Sequence, residues 1–199
     1  MPPHPGAVAG LLLTGGASRR MGTDKALLEV GGQRLVDRAA GALAAVAEPA
    51  VEVGPGWSAL PAVREDPPGS GPLAAVAAGA AALRAGGHDG PVIVLAVDMP
   101  FVTVDLLRLL ATRPGPATAV PRAGGHPQVL CARYGPEALA AVHRLHAAGG
   151  VSLRRLLESD DAGFEVGWIE PEEWERVADP VVLSDVDTPD DLRRLVEEP

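Results

Sequence analysis

Val92-Ile93-Val94-Leu95-Ala96-Val97 is apolar at every position, the pattern of a strand covered on both faces rather than the alternation of a half-exposed one. Such a strand belongs at the centre of a parallel sheet with helices on both sides. Ala7 to Leu13 forms a second continuous apolar run and ends in Thr14-Gly15-Gly16, which reads as a buried strand feeding a glycine turn. Leu35, Ala39, Leu43 and Val46 then recur at helical spacing, so a helix is expected over residues 34–47. A β-loop-α start follows from these two segments.

Further along, Ala50 to Val53 and Ala62 to Arg64 read as short strands, followed by the turn-rich Asp66-Pro67-Pro68-Gly69-Ser70-Gly71-Pro72. Pro72 suits a first helical position, and Leu73, Val76, Ala77, Ala80 and Leu83 share a face before Gly86-Gly87 stops the helix. Thr103 and Ser152 are candidate helix caps, and Thr188-Pro189-Asp190-Asp191 is a strong helix start running to Val196. Strands alternating with helices, and no break in composition, predict one doubly wound, Rossmann-like α/β domain over residues 1–199, mostly parallel, with a hairpin insertion between Ala117 and Tyr134.

A chain of 199 residues is long enough to build its core by packing alone. Its 26 acidic against 17 basic residues give a net charge of −9, which argues against generic adhesion to nucleic acid or to a membrane surface. The single cysteine, Cys131, excludes an intrachain disulfide framework and fits a reducing compartment, so a cytoplasmic setting is expected. Of the basic residues sixteen are arginine and one is lysine, Lys25, and asparagine is absent. Against that bias a lone lysine marks a position suited to a compact, pivoting point charge.

The segment Thr14-Gly15-Gly16-Ala17-Ser18-Arg19-Arg20-Met21-Gly22-Thr23-Asp24-Lys25 follows the first strand directly, where open α/β sheets bind ligands. Small residues let backbone N–H groups line a cavity, and Arg20 and Lys25 add the positive charge that polyphosphate requires. It lacks both the Gly-Lys-Ser/Thr of a Walker loop and dinucleotide glycine spacing, and a surface turn with solvated charges is the alternative. Asp98 ends the most buried strand at the mouth of the same cleft, either satisfied by backbone N–H groups or holding a divalent cation that bridges phosphates. In Asp185-Val186-Asp187 the two carboxylates fall on one side of an extended segment and can reach the cleft, whereas Asp190 and Asp191 read as helix-start residues. Asp66 is a further candidate at the head of its loop. Cys131 and the His143/His146 pair read as a packed thiol and surface histidines, and His126 either lines an acceptor site or sits in a turn.

Leu13 to Gly22 followed by Asp24-Lys25 resembles the L-x-G-G-x-S-x-R-M-G-x-D-K signature of molybdenum cofactor guanylyltransferases, within the nucleotidyltransferase superfamily. Asp98-Met99-Pro100-Phe101, Glu65-Asp66 with Gly71-Pro72-Leu73, His126-Pro127-Gln128, Ser152 to Leu156 and Asp187-Thr188-Pro189 fall in the same order, so the likeness covers nearly the whole chain. The resemblance implies transfer of GMP from GTP to the phosphate of molybdopterin or Mo-molybdopterin, with Mg²⁺ as cofactor. It further implies nucleotide contacts from Leu13, Thr14, Gly15, Gly16, Lys25, Asp66 and Asp98, catalytic roles for Lys25, Arg20 and Asp98, and metal binding by Asp98 with Asp187. A monomer is expected, and transient contact with molybdoenzyme maturation proteins is compatible with it.

The family commonly places Asn after the second strand and in an Asn-x-Asn-Thr-Pro segment; here Gly54 stands at the first place and Asp185 and Asp187 at the other two. Three other readings share these residues. A molybdopterin cytidylyltransferase or a sugar-1-phosphate nucleotidyltransferase would differ in nucleotide preference, and a noncatalytic nucleotide-binding module would release no pyrophosphate.

Overall fold

In a computed structural model, residues 8–15 and 24–184 are described. Strand β1 (Ala9–Leu13) leads to a 3₁₀ turn at Lys25–Leu27, a small hairpin of β2 (Glu29–Val30) and β3 (Gln33–Arg34), and helix α1 (Leu35–Ala44). β4 (Ala50–Val53), β5 (Ala62–Val63), α2 (Pro72–Ala85), β6 (Val92–Ala96) and α3 (Val104–Thr112) continue the alternation. Then come β7 (Thr118–Ala123), β8 (His126–Pro127), β9 (Cys131–Tyr134), α4 (Pro136–Ala147), α5 (Leu153–Leu157), β10 (Val166–Ile169) and α6 (Pro171–Trp174).

The sheet runs β10-β7-β9-β6-β1-β4-β5, with β8 paired to β7 at the side. β1 is parallel to both β6 and β4, and β5 and β10 are also added in parallel. β6 departs from the expectation of a parallel strand on both sides, because β9 joins it antiparallel. The chain returns through the β7–β8 hairpin instead of a helical crossover, and a reversed strand suits so short a connection. Thus the sheet is mostly parallel, and the hairpin insertion falls where the sequence put it.

Period-two alternation explains why helices cover both faces. Leu12, Ile93 and Leu95 pack with α1 and α3 in one cluster, while Leu11, Leu13, Val92 and Val94 pack with α2, α4 and α5 in the other. α2 approaches especially closely: a Cβ on Gly79 would lie 2.7 Å from both Leu11 Cδ2 and Val53 Cγ2. The helix starts are capped as expected, with Thr103 Oγ1 accepting from Leu106 N and Ser152 Oγ accepting from Arg155 N. The expected helix from Thr188 lies outside the described residues.

Candidate functional site

The parallel register brings three strand ends to one edge. Leu13 stands opposite both Ala96 and Val53, so Thr14-Gly15, Gly54 and Asp98 emerge together at the carboxyl ends of β1, β4 and β6, the side on which such sheets bind ligands. Thr14 N and Gly15 N both donate to Val53 O, at 3.1 and 3.4 Å, and Val97 N donates to Leu13 O at 3.0 Å. The start of the glycine turn is thereby fastened to its neighbours on both sides.

Beneath it lies a carboxylate that the sequence reading missed. Glu52, on β4 and 0% exposed, accepts from Thr14 Oγ1 at 2.7 Å, Gly56 N at 2.8 Å and Trp57 N at 2.9 Å through Oε1. Its Oε2 accepts from both the amide and the hydroxyl of Ser58, each at 2.7 Å. Burial pushes this carboxyl up, and hydrogen bonds from Thr14, Ser58 and Trp57 outweigh that effect, leaving its pKa below the ordinary carboxylate value. A charged residue inside a strand pattern, followed at once by Gly54-Pro55-Gly56-Trp57-Ser58, is the signal that could have revealed it: such a turn supplies amides for a carboxylate to collect. On the outer side of the same loop, Arg34 pairs with Asp37 at 2.6 Å and donates to Trp57 O at 3.3 Å.

Gly54, directly after β4, has no room for a side chain. A Cβ there would fall onto the Thr14 hydroxyl and 3.0 Å from Gly15 N, at a φ of +155°. The hydroxyl that Glu52 holds fills the space a side chain at position 54 needs.

Asp66 is exposed in the loop after β5, while its neighbour Glu65 is buried and accepts from Gly69 N at 2.8 Å. A Cβ on Gly15 would lie 3.6 Å from Glu65 Oε1, so Glu65 is a second carboxylate beside the glycine turn. Lys25 opens the 3₁₀ turn and is half-buried, and the next residue, Ala26, packs in the same apolar cluster as Val97 and Met99 on either side of Asp98. Asp98 is itself half-buried. Among the described residues no three His, Cys, Asp or Glu side chains converge as a metal cluster. An oxygen donor of this kind fits a hard cation that draws its remaining ligands from phosphate and water. Gly16, Arg19, Arg20, Asp185 and Asp187 lie outside the described residues.

The other candidates stand apart from this edge. Cys131 is buried on β9, and burial pushes its thiol up to about 12, which makes it a packed, protonated thiol. His143 is half-buried on α4, its pKa lowered by burial and by nearby Arg84 and His146, and His146 is exposed. Exposed His126 on β8 lies with Nδ1 3.4 Å from the Arg154 guanidinium. No described helix is long and apolar enough to cross a membrane.

Comparison with known proteins identifies the family. Residues 10–163 match the model of the MobA-like NTP transferase domain. A protein of Chloroflexus aggregans named probable molybdenum cofactor guanylyltransferase is 35% identical over 97% of this chain and 95% of its own length. One of the same name from Mycobacterium tuberculosis is 37% identical over 78% of this chain and 81% of its own. Among solved structures, molybdopterin-guanine dinucleotide biosynthesis protein A from Archaeoglobus fulgidus has the same fold, with a TM-score of 0.73 at 24% identity, covering 96% of this chain and 97% of that one. The chain belongs to the family of MobA-like NTP transferases.

Proposed function

We propose that this protein is a molybdenum cofactor guanylyltransferase: it joins the GMP of GTP to the phosphate of molybdopterin, or of Mo-molybdopterin, and releases pyrophosphate. The observation that carries the reading is the Thr14-Gly15 turn fastened at the same sheet edge as Asp98, in a chain so similar over nearly its full length to a relative of that name. An oxygen of the acceptor phosphate forms a bond to the α-phosphorus, and the bond from that phosphorus to the oxygen bridging to the β-phosphate breaks. The acceptor is already anionic, so no general base and no protein nucleophile are required, and catalysis reduces to positioning and charge compensation.

In this scheme the backbone of Leu13, Thr14, Gly15 and Gly16 borders the nucleotide, with Asp66 contributing from its loop. Lys25 and Arg20 hold the departing pyrophosphate, and Asp98 with Asp187 would hold a magnesium ion. When bound, that ion would supply neutralisation of charge on the α-phosphate. Magnesium dependence, a cytoplasmic setting, a monomeric working form and one catalytic unit spanning residues 1–199 are parts of the same proposal. Lys25→Ala and Asp98→Ala test it: each is expected to lower pyrophosphate release about 100-fold or more, the scale of losing one electrostatic stabiliser, with the folded spectrum unchanged. Wild-type turnover in either variant would refute the assignment.

A further inference from the structure

We propose that Glu52 is a positioning residue for nucleotide binding: through the Thr14 hydroxyl it fixes the Thr14-Gly15 turn in the form that receives the nucleotide. This role rests on the reading of the turn as part of the nucleotide site, and it is independent of which base is bound. The chain leaves the sheet at this step, since Thr14 is 5% exposed and Gly15 is exposed. Backbone alone holds the step weakly. Thr14 N and Gly15 N share one acceptor, Val53 O, and the Gly15 bond of 3.4 Å is longer than the roughly 2.7–3.2 Å of an ordinary N–H···O bond. The stronger tie is Thr14 Oγ1, which donates to Glu52 Oε1 at 2.7 Å, because a bond to an ionised acceptor is roughly twice as strong as a neutral one.

A purely local duty for Glu52 would be to collect the donors of its own loop, and that duty is complete without Thr14. Oε1 accepts from Gly56 N and Trp57 N, which engages both its lone pairs, and Oε2 accepts from the amide and hydroxyl of Ser58. The Thr14 hydroxyl is an additional donor, brought from 38 positions away. It stands on the turn, not on the loop. The loop is itself braced, by Arg34 donating to Trp57 O at 3.3 Å and by Ser58 Oγ accepting from Leu60 N at 3.2 Å. Oε1 of a residue 0% exposed is therefore a fixed point, and the turn takes its place from it. With both oxygens engaged, Glu52 is no ligand of the nucleotide and acts only through Thr14. A turn fixed in advance favours the bound nucleotide equally in the ground and transition states, so loosening it raises KM and spares kcat.

The experiment measures kcat and KM for GTP in pyrophosphate release with molybdopterin and Mg²⁺, affinity for GTP and CTP by calorimetry, and urea midpoints. The proteins compared are the wild type, Glu52→Gln, Thr14→Val, Thr14→Ser and Thr118→Val. Thr14→Val keeps the branched shape and removes the donor; KM for GTP is expected to rise about tenfold, the scale of losing a hydrogen bond to a charged group, with kcat within about threefold. Glu52→Gln turns an amide donor against the donors around it and should move KM in the same direction. Thr14→Ser restores the hydroxyl and should return KM to within about twofold of the wild type. Thr118→Val makes the same substitution at the start of β7, the opposite edge of the sheet, where it deprives the buried Gly135 amide of its acceptor; it should lower the urea midpoint and leave KM unchanged, which separates positioning from stability. The two Thr14 variants carry the test should Glu52→Gln fail to fold. Wild-type KM in Thr14→Val, a loss confined to kcat, or a raised KM that Thr14→Ser does not restore overturns the proposal, as does an equal rise in Thr118→Val. If the wild type uses or binds CTP and not GTP, the guanylyl reading alone fails and CTP gives the same comparison. A wild type that binds neither nucleotide overturns the positioning role as well.

Discussion

No β-carbon fits between Gly54 and Thr14: one built on Gly54 would fall onto the Thr14 hydroxyl. The ends of β1 and β4 are thus closer than two ordinary side chains allow, and Glu52 holds them so through the same hydroxyl. Gly54→Ala is expected to cost about 1–3 kcal/mol of stability by overpacking and to weaken GTP binding. Thr14→Ala with Gly54→Ala should cost less than the sum of the two single changes, since the first removes the obstacle met by the second. Urea denaturation of the four proteins measures this coupling, and strict additivity would count against it.

Acid should destabilise the protein partly through Glu52. Its folded pKa lies below the ordinary 4.5, so the unfolded chain binds the proton more readily, and the stabilisation is complete above about pH 4.5 and is lost as pH falls through the folded value. Glu173, held low by its hydrogen bonds to Arg113, acts in the same direction. Urea midpoints followed from pH 7 to pH 3 should fall less steeply in Glu52→Gln than in the wild type, with Glu173 supplying part of the remaining slope. Parallel curves would contradict the assignment.

Cys131 should resist alkylation while the protein is folded. A thiol pushed up to about 12 by burial has almost no thiolate at neutral pH. Iodoacetamide labelling followed by mass spectrometry should proceed only as fast as the chain opens and accelerate sharply in urea; rapid labelling under native conditions would show that β9 is not packed as described.

Gly79 lets α2 lie close against the face of β1 and β4. Its missing Cβ would meet Leu11 and Val53 at 2.7 Å, so Gly79→Ala must push the helix away from β1 and β4. Although alanine favours a helix, the crowding is expected to win, with a net loss of about 1–3 kcal/mol in thermal or chemical denaturation. A stabilised variant would mean that α2 has slack in its seat.

The elements that set the fold were legible because their periodicity is local. β4 begins and ends at Ala50 and Val53, α2 begins at Pro72, and both side-chain caps, at Thr103 and Ser152, form as read. The placement of Thr14-Gly15 and Asp98 at adjacent strand ends was legible too, because both follow apolar runs that allow little choice of placement. What was not legible depends on partners distant in sequence. Glu52 pairs with Thr14 across 38 positions. Arg133, in an otherwise apolar strand, is 6% exposed and donates to the carbonyls of Ala111, Arg113, Pro116 and Ala117 at 2.9–3.1 Å. No spacing rule announces either arrangement, since each charge is satisfied by backbone that only the folded topology brings near. The reversed direction of β9 likewise depends on how the β7–β8 hairpin returns.

The most direct measurement is pyrophosphate release by the purified protein with GTP or CTP and Mg²⁺, with and without molybdopterin. Release with GTP that depends on the acceptor, and exceeds that with CTP about tenfold or more, is the predicted result. Release with CTP at the same rate, or none with GTP when molybdopterin is present, would contradict guanylyl transfer at the Thr14–Asp98 edge.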